Sequence, residues 1–477
     1  VNSRARRYCI TENGLRQYHA LDEQAKKASH KWMKTADGGE ARSTLIEKLI
    51  LLCAIKTATL DAAGMGVEME GGRPGWYDAL NGMPGLLGSS MAESCELARL
   101  LKFTAEALEA HGGKTEVYDE IAGLLEAADR ILRTETDAFA RWDEMNRVKE
   151  EYRDRTLWGY QGSRQRLSCA SIASQLRNME KTVLEGIRKA EDMNGGLIPT
   201  YFTFTAEHWE DTPDGPMPTL LTPTALPLFL EGPVRQFKLA LSDDKKHALA
   251  EKVAKSGLYD KKLRMYKVNE SLSGVSYEAG RALAFTPGWL ENESVWLHME
   301  YKYLLELLKN GLYPEFAKAF RDAAVPFLDP AVYGRSPLEN SSFIASSANP
   351  DPEVHGRGFV ARLSGSTAEL LHIWQVMFFG NEPFYLEDGQ LRLRFSPFIP
   401  DYLMGRNGTV EAVFLGKTHV VYHGEKGALV PGVTAPCRYV LTCADGTEKR
   451  AEGAALCRED ALSVRRGEIS RIDVFMG

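Results

Sequence analysis

The sequence predicts a mainly helical protein that ends in a small β-rich module. Over most of the 477 residues, apolar positions recur with helical spacing, and from about residue 386 the period drops to two. Composition agrees with a compact globular chain of two or three domains, with 44% apolar and 26% charged residues. We place the helical region at residues 1–385 and the β-rich module at 386–477.

The elements follow in order. Residues 1–35 read as helical and mixed in charge, and 41–63 carry the broad apolar stripe of a buried helix. A Gly- and Pro-studded loop follows. Residues 91–111 and 115–153 read as two helices, the second heavily charged on one face. Residues 167–192 make another, stopped by Asn194-Gly195-Gly196. Residues 196–240 are rich in Pro, Thr and Phe and read as an elaborated loop region. A short charged helix is expected at 242–256, a helical hairpin at 293–309 and 314–327, and a strongly apolar helix at 366–379. Leu391 to Phe395 alternate strictly, as a half-buried strand does. Val410–Phe414, His419–Tyr422, Arg438–Leu441 and Ile472–Phe475 read as further strands between Gly, Asp and Asn turns. Paired helices with functional loops on one face suggest an (α/α) toroid, which composition does not separate from a plain bundle.

Charge and cysteine usage exclude some function classes. A net charge of −7 gives no concentrated basic footprint for nucleic acid or an anionic membrane. No apolar run reaches the length of a membrane span, and no signal peptide is visible, although a first residue of Val leaves an upstream leader open. The seven cysteines are odd in number and contain no Cys-x-x-Cys, so neither a disulfide framework nor a zinc site is expected. Cys53 and Cys95 fall in apolar helical runs and read as buried thiols, which fits a reducing cytoplasm.

Residues 73–97 carry the most chemistry. Asp78 lies between two aromatics, Trp76 and Tyr77, and an amide, Asn81. Aromatic flanks stack on pyranose rings, and they desolvate a carboxyl so that it can act as an acid near neutral pH. The plain alternative is an Asp capping a helix–helix loop. The segment resembles the general-acid loop of the inverting glycoside phosphorylases, the cellobiose phosphorylase family and its β-1,3-glucan phosphorylase relatives. That pattern, Trp-x-Asp-x-Leu-Asn followed by Glu-Ser, is matched by Trp76, Asp78, Leu80, Asn81, Glu93 and Ser94. Tyr77 stands where cellobiose phosphorylases usually carry Asn, and Gly82 to Ala92 form a longer insert. Both departures point toward relatives that act on oligosaccharides.

Two further segments resemble that family. Glu291, Asn292 and His298 match its Glu-Asn…His spacing, in which the His helps hold phosphate; alone, His298 reads as a histidine at a helix start. Gly365-Ser366-Thr367-Ala368 opens an apolar helix, and Thr367-Ala368 matches the family's Gly-Thr-Ala phosphate loop with Ser366 in place of Gly. Ser366-x-x-Glu369 is equally a capping box. Arg362 upstream is a candidate phosphate ligand, with His355 and Arg357 nearby. Glu68, Glu70, Glu278 and Glu291 are candidates for binding sugar hydroxyls.

The resemblance covers roughly residues 40–100 and 275–400. It implies an (α/α)6 barrel followed by a C-terminal β-sheet domain, and a homodimer as the full-length enzyme. Because only 77 residues precede Asp78, it also implies the C-terminal part of a longer protein, or a second chain that supplies the rest. The expected chemistry is phosphorolysis of β-glucosidic bonds, best β-1,3, with Asp78 as general acid. His298, Ser366, Thr367 and Arg362 would bind phosphate, and Trp76, Tyr77, Asn81 and Glu291 would bind substrate. Inorganic phosphate is then a co-substrate, and no metal or organic cofactor is called for. The rivals are an inverting β-glucan hydrolase with a glutamate as base, and a silent carbohydrate-binding or structural portion of a larger assembly.

Overall fold

The computed structural model describes residues 8–17, 33–71, 75–360, 364–424 and 427–477. It is mainly helical, at about 43%, with twelve α-helices among the described residues. The chain divides into two compact units. The first holds residues 1–260, 266–295 and 345–354, and the second holds 261–265, 296–344 and 355–477.

The first unit opens with a hairpin, β1 (Tyr8–Thr11) and β2 (Gly14–Gln17), where the sequence suggested helix; residues 1–7 and 18–32 of that helical expectation lie outside the described residues, and 33–35 are not helical. Gly14, with φ of 98°, makes the turn. Helix α1 (Leu45–Thr57) starts at Thr44, whose hydroxyl accepts from the Glu47 N–H at 3.2 Å. Strand β3 (Val67–Glu68) pairs with β4 (Ser89–Ser90), which leads into α2 (Met91–His111). Cys53 and Cys95 are fully buried, and desolvation pushes their thiols up to about 11 and about 12. All seven cysteines are free.

The long helix expected at 115–153 is three elements: β5 (Lys114–Tyr118), α3 (Asp119–Thr134) and α4 (Ala138–Thr156). Glu135 is extended, and the Asp137 carboxylate caps the new start by accepting from Ala140 N–H at 2.8 Å. A continuous charged stripe hid this restart. Strand β6 (Arg164–Ser168) pairs with β5 and runs into α5 (Cys169–Met193), which packs on α2.

Residues 196–240 are also not the expected loop. They hold a long antiparallel hairpin, β7 (Tyr201–Thr212) and β8 (Gly215–Ala225), joined by Pro213-Asp214. Phe202, Phe204 and Ala206 alternate into the core. Strand β8 is an edge in the order β3-β4-β7-β8, where Pro216, Pro218 and Pro223 are tolerated. Those prolines are what made the segment read as loop. Helices α6 (Glu231–Phe237) and α7 (Asp243–Lys255) follow. Two-residue strands β9 (Tyr259–Asp260), β10 (Met265–Tyr266) and β11 (Val295–Trp296) fall where the chain passes from one unit to the other.

In the second unit, α8 (Leu297–Lys309) and α9 (Tyr313–Ala323) form the expected helical hairpin, followed by the short α10 (Pro330–Tyr333). Strand β12 (Phe343–Ile344) pairs with β13 (Gly358–Phe359), and α11 (Ser364–Phe379) packs against α8. A hairpin of β14 (Phe384–Glu387) and β15 (Gln390–Leu393) precedes β16 (Thr409–Phe414), β17 (Thr418–His423), β18 (Pro436–Cys443), β19 (Glu448–Glu452), α12 (Arg458–Arg466) and β20 (Ile469–Met476). The five-stranded sheet runs β16-β17-β20-β18-β19, with β17 and β20 parallel. Among the described residues, no helix is long and apolar enough to cross a membrane.

Candidate functional site

In the first unit, Asp78 opens a 3-10 turn, Asp78–Leu80. A second segment, residues 277–292, clamps this turn. Ala79 N–H donates to Glu291 Oε2 at 3.1 Å, Arg281 N–H donates to Asn81 Oδ1 at 3.2 Å, and Gly82 N–H donates to the Ala279 carbonyl at 3.0 Å. The Tyr77 hydroxyl donates to the Glu291 carbonyl. Asn81 and Arg281 are 200 residues apart in sequence, so only the fold brings these segments together.

Two glycines permit the approach. A Cβ on Gly82 would stand 1.8 Å from the Glu278 carbonyl oxygen. One on Gly280, whose φ is 139°, would stand 2.5 Å from the Ala79 carbonyl oxygen. Strand β2 adds a latch from outside: Arg16 holds Glu278 through Nε at 3.0 Å and Nη2 at 2.9 Å, a fork-on-carboxylate pair. Leu290 and Glu293 flank the Glu291-Asn292 pair at φ of 49° and 56°. A left-handed Leu or Glu costs about 1–2 kcal/mol. Surrounding bonds hold the segment there: Glu293 N–H donates to Asn269 Oδ1 at 2.6 Å, Asn292 Nδ2 to the Phe285 carbonyl at 2.8 Å, and Lys267 Nζ sits 2.7 Å from Glu293.

Tyr77 does not act as expected. Tyr77 is 1% exposed, its ring packed edge-on against Phe229 with centroids 5.0 Å apart and tilted against Tyr201. It is a core residue with no face left for a sugar. Asp78 itself is exposed, so the flanks do not bury its carboxylate. The desolvated carboxyl is Glu291. Burial pushes it up, the Ala79 N–H and the Arg281 charge pull it back, and the Asp78 charge adds to the rise.

Trp76 is half-buried and lines a cleft of about 510 Å³ in the first unit. Ion pairs stud its walls: Lys56 with Glu93 at 2.6 Å, and Arg235 with Glu96 at 2.6 Å and Glu231 at 3.0 Å. One aromatic wall with several polar groups suits a polyhydroxylated ligand. The other glutamates are already engaged. Glu68 takes the Trp142 indole N–H and faces buried Lys149 at 3.5 Å, while Glu70 pairs with Arg153 at 2.6 Å.

In the second unit, His298 and the start of α11 do meet. A Cβ on Gly365 would lie 2.5 Å from His298 Nδ1, so the ring rests against that glycine. Ser366 is 1% exposed, and among the described residues its hydroxyl has no hydrogen-bond partner. Thr367 is exposed, and Arg362 lies outside the described residues. The capping box is not formed, because α11 already begins at Ser364 and Glu369 turns elsewhere. Glu369 Oε1 is 2.6 Å from Lys302 Nζ and 3.5 Å from His298 Nε2, and its Oε2 is 3.9 Å from His372 Nδ1. Burial pushes the Glu369 carboxyl up, but bonds and charge from His298 and Lys302 outweigh this and hold it at about 2.

Lys302 was missed from sequence, although it stands one helical turn after His298 and so shares its face. His355 Nδ1 lies 2.6 Å from Lys262 Nζ. Trp296 is core, its ring tilted against Phe343 with centroids 5.0 Å apart. Among the described residues, no group of three or more His, Cys, Asp or Glu is arranged to hold a metal. No family model matches this chain, and no curated protein matches it in sequence.

Proposed function

We propose that this chain is the catalytic portion of an inverting glycoside phosphorylase, related to the cellobiose and β-1,3-glucan phosphorylases. Its substrates are β-glucan oligosaccharides, best β-1,3-linked, and inorganic phosphate. The observation that carries this reading is the clamp: the two family-like segments, 76–82 and 277–292, meet around Asp78 and Glu291. The gathering of His298, Gly365 and Ser366 supports it further.

In this reading Asp78, exposed at the head of its turn, donates a proton to the glycosidic oxygen as the bond from C1 breaks. Inorganic phosphate, the nucleophile, attacks C1 from the opposite face, and the family resemblance implies His298, Ser366, Thr367 and Arg362 as its ligands. The products are α-glucose 1-phosphate and a glucan one residue shorter. The proton that Asp78 lost is regained from solvent or from the next phosphate. Trp76, Asn81 and Glu291 line the sugar side. An (α/α)6 barrel, a homodimer and a cytoplasmic setting belong to the same proposal.

One observation favours a second reading. Glu291 is a partly buried carboxyl whose ionisation the Asp78 charge opposes, as expected of an acid–base pair in an inverting hydrolase. The experiment is turnover of laminari-oligosaccharides with and without phosphate, in wild type, Asp78→Asn and Glu291→Gln. Phosphorolysis predicts glucose 1-phosphate only with phosphate, and its loss in Asp78→Asn. Glucose released equally without phosphate, and abolished in Glu291→Gln, would establish the hydrolase instead.

A further inference from the structure

The anion-suited cluster in the second unit holds a group that an anion would not choose. Lys302 and His298 can donate hydrogen bonds, and so can Ser366 one turn earlier on α11, but Glu369 pairs with both Lys302 and His298. With its carboxyl held at about 2, Glu369 is ionised throughout the neutral range and can only accept. It is also within reach of a ligand: the side chains of Glu369, His298 and Lys302 are 15%, 23% and 22% exposed. The Ser366 hydroxyl, buried one turn before Glu369 and without a hydrogen-bond partner among the described residues, is the independent sign that something polar completes this place.

Donors alone bind any tetrahedral oxyanion. A fixed carboxylate acceptor does not. A ligand oxygen that carries a proton donates it to the carboxylate and gains a short charge-assisted bond. A ligand oxygen without a proton brings lone pair against lone pair and charge against charge. Monohydrogen phosphate and monohydrogen arsenate carry such a proton near pH 7.5, and sulfate does not.

We propose that Glu369 is a specificity-determining residue that makes the His298–Lys302–Ser366 seat select a protonated oxyanion over a fully deprotonated one. The inference rests on the reading of this seat as the phosphate site and names how the seat tells phosphate from its commonest mimic. Replacing one charge-assisted bond by an unpaired acceptor pair corresponds to roughly 10- to 100-fold in affinity. Glu369→Gln removes the charge, keeps the size and adds a donor, so it relaxes selection. Lys302→Met removes a donor common to both anions and weakens both alike.

The test is titration calorimetry on the full chain at pH 7.5 and constant ionic strength, with inorganic phosphate, arsenate and sulfate as the probes, beside phosphorolysis assayed with added sulfate. The expected result is phosphate and arsenate binding alike, sulfate at least about 10-fold weaker, and a ratio near one in Glu369→Gln. Sulfate bound as tightly as phosphate by the wild type would overturn the inference whether or not the variant folds, as would an unchanged ratio in a folded Glu369→Gln. If phosphorolysis proceeds while the two anions bind equally, only the role of Glu369 falls. If wild type binds no phosphate and cleaves glucan without it, the phosphorylase reading falls and this inference with it.

Discussion

Gly82→Ala tests whether the clamp between residues 76–82 and 277–292 is what positions Asp78. Gly82 has an ordinary φ of −89°, so alanine meets no backbone strain there. All the cost is steric. The new Cβ would sit 1.8 Å from the Glu278 carbonyl oxygen, 2.9 Å from its carbon and 3.0 Å from the Ala279 carbonyl carbon. Carbon and oxygen need about 3.3 Å, so the two backbones must part by about 1.5 Å. That separation removes the bonds Gly82 N–H to Ala279, Arg281 N–H to Asn81 and Ala79 N–H to Glu291. At about 1 kcal/mol each the loss is about 3 kcal/mol. A displacement of about 1 Å at a reacting group lowers turnover by about 100-fold. The assay pairs kcat for glucan phosphorolysis with thermal melting. Gly123→Ala is the control, since Gly123 lies in α3 with open space around its Cβ position; it is expected to be neutral or to stabilise by up to about 1 kcal/mol. If Gly82→Ala keeps both wild-type turnover and wild-type melting, the clamp does not hold the acid loop.

Two further predictions concern pH. Glu369 is held at about 2 against the ordinary 4.5, so it contributes stability of about 3 kcal/mol that is complete above pH 4.5 and lost as pH falls toward 2. In Lys302→Met most of that acid-side loss disappears, read as a smaller difference in denaturant midpoint between pH 6 and pH 3. Asp61 runs the other way: burial pushes it up to about 6, against bonds from Met65, Ser89 and Gly66. Its folded form binds a proton more tightly than the unfolded chain, so stability is greatest below about pH 3.8 and falls by roughly 3 kcal/mol as pH rises through 6. Asp61→Asn should flatten that limb, and an unchanged profile would show that Asp61 does not titrate there.

Much of this fold is legible in the sequence because helix faces are. Residues 91–111 and 242–256 repeat apolar positions at helical spacing and fold as α2 and α7 nearly where the pattern places them. What escapes is set by partners distant in sequence. The β7–β8 hairpin reads as loop because its prolines are acceptable only on an edge, and edges are defined by sheet order. The break at Glu135–Asp137 is a local cap inside a continuous charged stripe. At the candidate site, Asp78, Asn81 and Glu291 are legible as residue types in a pattern, and the fold gathers them. The orientation of Tyr77 is not legible, since Phe229 and Tyr201 lie more than 120 residues away and take its ring inward. Neither is the pairing of Glu369 with Lys302, because a capping-box spacing has the same letters.

The most direct measurement is phosphorus NMR of the wild-type chain with laminari-oligosaccharide and inorganic phosphate, followed through the first turnovers. Phosphorolysis with Asp78 as general acid predicts that the inorganic phosphate signal declines as α-glucose 1-phosphate grows, in step with shortening of the glucan, and that Asp78→Asn shows neither change. Shortening of the glucan with free glucose accumulating and the phosphate signal constant would contradict it.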